Sequence, residues 1–360
     1  MEFGIWSNGF RPHTSAAETY DEDLREIVLA DELGFKVAFI SDHHGEQVYV
    51  DKVDTLPVSE LLMCKAAGLT RQIKMGAAVK VIHLQHPLDV AIQAATTDHV
   101  IGDGRFIFGF GSGFPSPAFS LERGLSFEDR QERQQESLEF ILKCWASRAP
   151  FDWDGRHWKA KGVVATPSPV NGGTIPIATA TETEPMIRLA GERGYTLLTA
   201  HELPQHLKRK TDIYRAAALA SGRKDSLRNV ANARFIYVTD SRAKGIDDLK
   251  PAVTFELQFQ AARGLLKLVN RVNNWDLDEN NVTLEQLVDI GWYIIGTPDE
   301  VADRLAKIYK DSGGFGTLLM ITGKAWADRE RRLRSMRLFM EYVAPQLRHL
   351  EPPGDKAEAA

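Results

Sequence analysis

Short β-like runs alternate with amphipathic helices from one end of the chain to the other, and this constrains the fold more than any other feature. The runs fall at 3–7, 36–41, 74–82, 105–110, 175–180, 195–199, 234–239 and 316–322. Punctuation between them is local. Ser15-Ala-Ala-Glu18 and Thr297-Pro-Asp-Glu300 have capping-box spacing, and Gly34 and Ser312-Gly-Gly stop helices. Eight strands, each followed by a helix, is the count of a single (β/α)8 TIM barrel. Two stretches break the rhythm and are expected as insertions: about 149–173, rich in aromatics, Gly and Pro, and about 250–295, mostly helical. The barrel domain is expected over 1–350, with a disordered tail at 351–360. A doubly wound sheet is the competing architecture, but its pyrophosphate turn is missing.

Composition excludes several classes of function. Against 49 acidic side chains stand 44 basic ones, so no global positive field favours nucleic acid or anionic lipid. No apolar run approaches the ~20 residues that span a bilayer. The opening Met-Glu-Phe-Gly-Ile-Trp lacks the basic and long apolar regions of a signal peptide. Cys64 and Cys144 are too few for a disulfide framework, so a cytoplasmic address is expected.

A barrel carries its chemistry where strands hand over to the following loops. Polar residues gather there: Asp42-His43-His44, His83 and His86-Pro87, Gly111-Ser112-Gly113, Thr181-Glu182-Thr183, His201-Glu202, then Lys324 and Trp326. Asp42-His-His44 has ligand types that suit Zn or Fe, but adjacent residues of an extended chain point to opposite sides, and no metal is expected. Gly109-Phe-Gly-Ser-Gly113 is either a tight turn or a stretch cleared of side chains so that a flat ligand can approach the backbone. Thr181 to Pro185 is either an ordinary N-cap or an anion site at a helix start. Glu182 and Glu184 would repel a phosphate there unless their side chains point away. Trp6, Phe110, Phe114, Trp292 and Trp326 are either plain core or the lining of an apolar pocket, with Trp6, Phe114 and Trp326 taken as the lining candidates.

In order and spacing these pieces resemble the bacterial luciferase-like, flavin-dependent monooxygenases, in particular the limonene and diketocamphane monooxygenase branch. The matching pieces are Asp42-His43-His44, Gly76-Ala-Ala-Val, His86-Pro87, Asp98, Gly104 to Gly109, Glu192-Arg-Gly194, Gly296-Thr-Pro298 and Gly313-Gly-Phe-Gly316. The resemblance covers nearly the whole chain. It implies a barrel that takes reduced FMN from a separate flavin reductase, reacts it with O2 as a C4a-peroxyflavin, and inserts one oxygen into a hydrophobic, cyclic organic substrate. It also implies a homodimer. By carry-over, His43 is catalytic beside the flavin ring, with His44 its neighbour. Ala78-Val79 forms a non-prolyl cis bond beneath the ring, Gly111 and Ser112 border it, and Glu182 and Thr183 bind the phosphate.

Two departures stand out. Luciferases carry Cys-Arg where this chain has Gly111-Ser112. Gly111 is therefore expected to leave extra room above the ring, and the phosphate must be held by other donors. Light emission from an aldehyde is not expected. An F420-dependent hydride transfer on the same barrel and a non-catalytic flavin-binding protein are the competing functions; F420's polyglutamyl tail calls for a basic groove, and no basic cluster is evident near the strand ends.

Overall fold

The computed structural model describes residues 1–43, 57–113, 127–223, 227–262 and 264–352. His44, Phe114 and residues 353–360 of the expected tail lie outside the described residues. In chain order the elements are β1 (Glu2–Phe10), α1 (Ala16–Leu33), β2 (Val37–Ile40), α2 (Ser59–Ala67), β3 (Lys74–Ala77), β4 (Lys80–Val81), α3 (Pro87–Ile101), β5 (Phe106–Gly111) and α4 (Phe127–Ala146). There follow β6 (Phe151–Asp154), β7 (Lys159–Val163), β8 (Ile177–Ala180), α5 (Glu184–Arg193), β9 (Thr196–Ala200), α6 (Pro204–Ala220) and β10 (Val230–Val238). The last are α7 (Arg242–Ala262), α8 (Leu265–Asn273), α9 (Leu284–Asp289), β11 (Tyr293–Gly296), α10 (Pro298–Asp311), β12 (Thr317–Lys324) and α11 (Arg329–Leu338).

Eight parallel strands close a barrel in the order β1, β2, β3, β5, β8, β9, β10, β12, with β12 returning to β1. Both expected capping boxes are present. Thr297 Oγ1 accepts from the Glu300 amide, and the Glu300 carboxylate accepts from the Thr297 amide at 2.8 Å. Ser15 and Glu18 do the same for α1.

Inward and outward side chains alternate, giving two apolar layers. Phe3, Ile5, Phe106, Phe108 and Met320 pack outward beneath the helices. Phe39, Ile107, Leu198, Ala233, Leu319 and Ile321 fill the barrel and continue into α7 and α9 through Leu249, Val253 and Leu287. The barrel interior and the α7–α9 cover are thus one core, separate from the outer layer. Among the described residues no helix is long and apolar enough to cross a membrane.

Both insertions hold more strand than expected. Residues 151–163 form the antiparallel β6–β7 hairpin, fastened to α4 by Glu136, which accepts from the His157 and Trp158 amides at 2.8 and 2.9 Å. In the second insertion, β11 pairs with the upper half of β10, from Phe235↔Tyr293 to Val238↔Gly296. Strand β10 also starts four residues before its expected position. Its lower half interleaves Asn232 and Arg234 with alanines, which reads as polar although both side chains are buried. Asn232 Nδ2 donates to Thr199 Oγ1 at 2.9 Å, and Arg234 Nε donates to Asn232 Oδ1 at 2.6 Å.

Candidate functional site

At the C-terminal mouth of the barrel, small residues line one side and rings the other. Ala78, Gly111, Ala180 and Ala200 follow the inward alternation of β3, β5, β8 and β9, and together they form a shallow floor. The Ala78–Val79 peptide is cis, as the resemblance implied. Gly109 is required by the neighbouring strand: any Cβ there would fall onto the Ala77 carbonyl.

Gly111 does not leave the expected extra room. A Cβ at this position would lie 2.5 Å from Val79 Cγ2 and 3.1 Å from the Ala180 carbonyl oxygen. The Val79 side chain fills the space that a larger residue at 111 would take. Ser112, which follows, is half-buried.

Beside this floor stands the end of β2. Trp6, inward from β1, donates from Nε1 to Ser41 Oγ at 3.0 Å. The same alternation turns Asp42 outward, where its carboxylate accepts from the Val58 amide at 3.1 Å and from Ser59 Oγ at 3.2 Å. Asp42 thus braces the start of α2, and half-buried His43 follows on the inward phase.

The turn after β8 has the form expected of an anion site. The Thr183 amide donates to Thr181 Oγ1 at 3.1 Å, and the two threonine hydroxyls lie 3.2 Å apart. No side chain caps α5, so its first N–H groups have no local acceptor, and Pro lies in its first turn. The two glutamates are each paired with a basic side chain from elsewhere. Lys210 Nζ on α6 bonds Glu182 at 2.6 Å and Glu202 at 2.5 Å, while Glu184 is held by Arg188 at 2.5 Å. Burial pulls the Lys210 ammonium down, but Glu202 and Glu182 outweigh it and hold its pKa above the ordinary value. Burial pushes the Glu202 carboxyl up, opposed by Lys210.

A basic cluster that the sequence reading missed lies against the segment that follows β4. Arg130 and Arg133, both on the first turns of α4, bear on buried His83, whose pKa falls to about 4 through burial and then these two charges. Arg133 lies over the Trp158 ring at 4.3 Å. On α4 alone the two arginines read as a solvated face; only the packing of α4 on the segment after β4 brings them to His83.

The opposite wall is aromatic. His201 stacks on Phe235 with centroids 4.0 Å apart, and Phe235 stacks on Tyr293 at 4.6 Å. Trp326 packs against Phe235 and Tyr293 at 5.5 and 5.6 Å, and Trp292 lies 5.2 Å from His201. Lys324 Nζ sits over the Phe10 and Phe235 rings and pairs with Glu256 of α7 at 2.5 Å, with both side chains buried. Trp6 and Trp326 therefore belong to the mouth, as does Trp292. Phe110 does not: it points outward against Phe108 and Tyr195.

Comparison with known proteins points the same way. A family model described as luciferase-like monooxygenase matches residues 1–315. The chain is 26% identical to 3,6-diketocamphane 1,6-monooxygenase of Pseudomonas putida over 384 residues, covering 96% of this chain and 98% of that protein. It is 26% identical to limonene 1,2-monooxygenase of Rhodococcus erythropolis, covering 96% and 86%. Among solved structures, the oxygenating constituent of 3,6-diketocamphane monooxygenase from Pseudomonas putida, a type II Baeyer-Villiger monooxygenase in complex with FMN, superposes with a TM-score of 0.82 at 25% identity, covering 98% and 99% of the two chains.

Proposed function

The chain belongs to the luciferase-like monooxygenase family, and from that premise we propose that it is the oxygenase of a two-component system, using reduced FMN from a separate reductase to place one oxygen atom on a hydrophobic ring compound. The observation that carries this reading is the floor of Ala78, Gly111, Ala180 and Ala200, which runs to an uncapped helix start at Thr181 to Thr183. A flat tricyclic ring fits the floor, and a phosphate at its edge fits the turn. When bound, FMN supplies two electrons and the ring at which O2 is activated.

The protein's own residues then have separate tasks. Thr181, Thr183 and the first amides of α5 hold the phosphate, and Arg130 adds the cationic donor that Ser112 does not offer. Trp6 and Ser41 fix the β2 end beside the ring. His43 manages a proton at the ring edge, the general acid–base work to which an imidazole is suited. The aromatic wall keeps water away and receives the substrate, and the relatives' ring substrates support that assignment. The oxygenating-constituent description of the similar structure supports a separate reductase. A homodimer and a cytoplasmic address complete the proposal; exposed Leu61 and Leu69 on and after α2, and two free cysteines, are consistent with them.

The test is a reductase-fed turnover assay with 18-O2, read by mass spectrometry for one labelled oxygen in the product. His43→Ala is expected to bind FMN yet divert oxygen to hydrogen peroxide, lowering product by at least ~10²-fold, with His44→Ala costing less. Near-normal coupling in His43→Ala would remove it from the chemistry. Absence of oxygen uptake with reduced FMN would return the chain to a hydride-transfer or binding role.

A further inference from the structure

Lys210 lies on the second turn of α6 with its side chain buried, yet it bonds two carboxylates. One of them accounts for its burial. Glu202 is buried to the same degree and accepts from Lys210 Nζ at 2.5 Å, so each buried charge satisfies the other. The second carboxylate is different. Glu182 belongs to the turn after β8, its side chain is 62% exposed, and it accepts from the same Nζ at 2.6 Å. Water would solvate this carboxylate unaided, and an ion pair with so exposed a partner adds little stability. What the contact does is fix where the Glu182 charge lies.

That position matters because of its neighbours. Glu182 immediately precedes Thr183, the residue from which α5 starts, and no side chain caps that helix. Its first N–H groups attract any anion within reach. A glutamate one residue before the helix is such an anion, tethered to the spot by the chain itself. Left free, the Glu182 carboxylate would settle on those amides or repel a phosphate arriving there. Glu184 poses the same problem from the first turn of α5, and it is drawn away to Arg188 at 2.5 Å. The other cation acting on the group is Arg234 of β10, which bears on Glu202. Lys210 alone faces two carboxylates, so placement rather than charge count keeps the helix start open.

We propose that Lys210 is a positioning residue for cofactor selection: it draws the Glu182 carboxylate onto α6 and so leaves the start of α5 free for the phosphate that distinguishes FMN from riboflavin. This rests on the flavin reading of the turn and deepens it, because Lys210 acts through Glu182 rather than on the phosphate itself. Glu182 is then a built-in competitor for the anion site, kept out of it by a buried ammonium on the next helix.

The test is anaerobic tryptophan-fluorescence titration with reduced FMN and reduced riboflavin, read as the ratio of the two dissociation constants. Lys210→Met alone strands the buried Glu202 carboxylate, so it is combined with Glu202→Gln. This double variant has the same net charge as wild type, but its Glu182 is unheld. Its FMN preference is expected to fall about tenfold with riboflavin affinity kept, the size of one repulsion between neighbouring charges in water. The fall should shrink as salt is added. Adding Glu182→Gln to the double variant restores the preference, and Lys210→Arg, which keeps a cation against both carboxylates, holds most of it. Equal losses for both flavins, a fall that Glu182→Gln does not reverse, or a wild type with no preference for FMN overturns the proposal. Oxygen incorporation in the turnover assay is a separate readout, so the monooxygenase reading can stand while this one falls, and the reverse.

Discussion

The ion pair between Lys324 at the end of β12 and Glu256 on α7 joins the barrel wall to its helical cover and is buried on both sides, with side chains 4% and 5% exposed. At 2.5 Å and an effective dielectric of ~20, the attraction is roughly 7 kcal/mol. Desolvating two ions takes back several kcal/mol each, so the pair contributes little net stability. Losing one partner is another matter. Glu256→Leu strands an ammonium between the Phe10 and Phe235 rings, where only cation–π attraction remains. Lys324→Met strands a carboxylate that still accepts from Gln260 Nε2 at 3.1 Å. Each single substitution is expected to destabilise the fold by about 3–5 kcal/mol, whereas Lys324→Met with Glu256→Leu together should come within about 1 kcal/mol of wild type. Urea unfolding of the four proteins gives the cycle directly. A double variant as unstable as the sum of the singles would refute the reasoning, as would a Glu256→Leu cost below about 1 kcal/mol.

Three further outcomes follow from the same geometry. Gly111→Ala should lower stability by about 1–3 kcal/mol through the clash with Val79, and adding Val79→Ala should restore most of it in a thermal melt; an unaffected Gly111→Ala melt would mean the space is open after all. His83 takes up a proton near pH 6.5 when unfolded but only near pH 4 when folded, so its contribution is complete above pH 6.5 and is lost as pH falls toward 4, by about 3 kcal/mol in all. Denaturation midpoints measured from pH 7 to 4 should therefore fall less steeply in His83→Phe than in wild type. Arg130→Ala and Thr183→Ala should each weaken FMN binding more than riboflavin binding in fluorescence titrations, and equal losses would move the phosphate elsewhere.

The parts of this molecule that were legible in its sequence are those written within one turn or one strand. The two capping boxes, the helix stops and the polar strand ends depend on residues three or four apart, so a linear reading finds them. Strand β11 escaped because Tyr-Ile-Ile-Gly is too short to show a period, and because α7, α8 and α9 separate it from its partner, the upper half of β10. The lower half of β10 escaped for the opposite reason: Asn232 and Arg234 look solvated, but Thr199 on the adjacent strand satisfies Asn232, which in turn satisfies Arg234 Nε.

The site shows the same division in its chemistry. Glu182 and Glu184 argue against a phosphate only while their partners are unknown, and the partners lie on different elements: Arg188 one helical turn on, visible in sequence, and Lys210 on the next helix, invisible. Gly111 reads as empty space until Val79, from two strands earlier in the chain, is found to fill it. Arg130, proposed above in place of the missing arginine after β5, lies on α4 and meets His83 only through packing. In each case the residue type was visible in the sequence, and its charge balance or free volume was not, because both are set by neighbours that the barrel supplies from other strands and helices. Substitutions that test the site should therefore be made in pairs across elements, Glu182 with Lys210 and Gly111 with Val79. A single change at either position mixes the role of the residue with the loss of its counterweight.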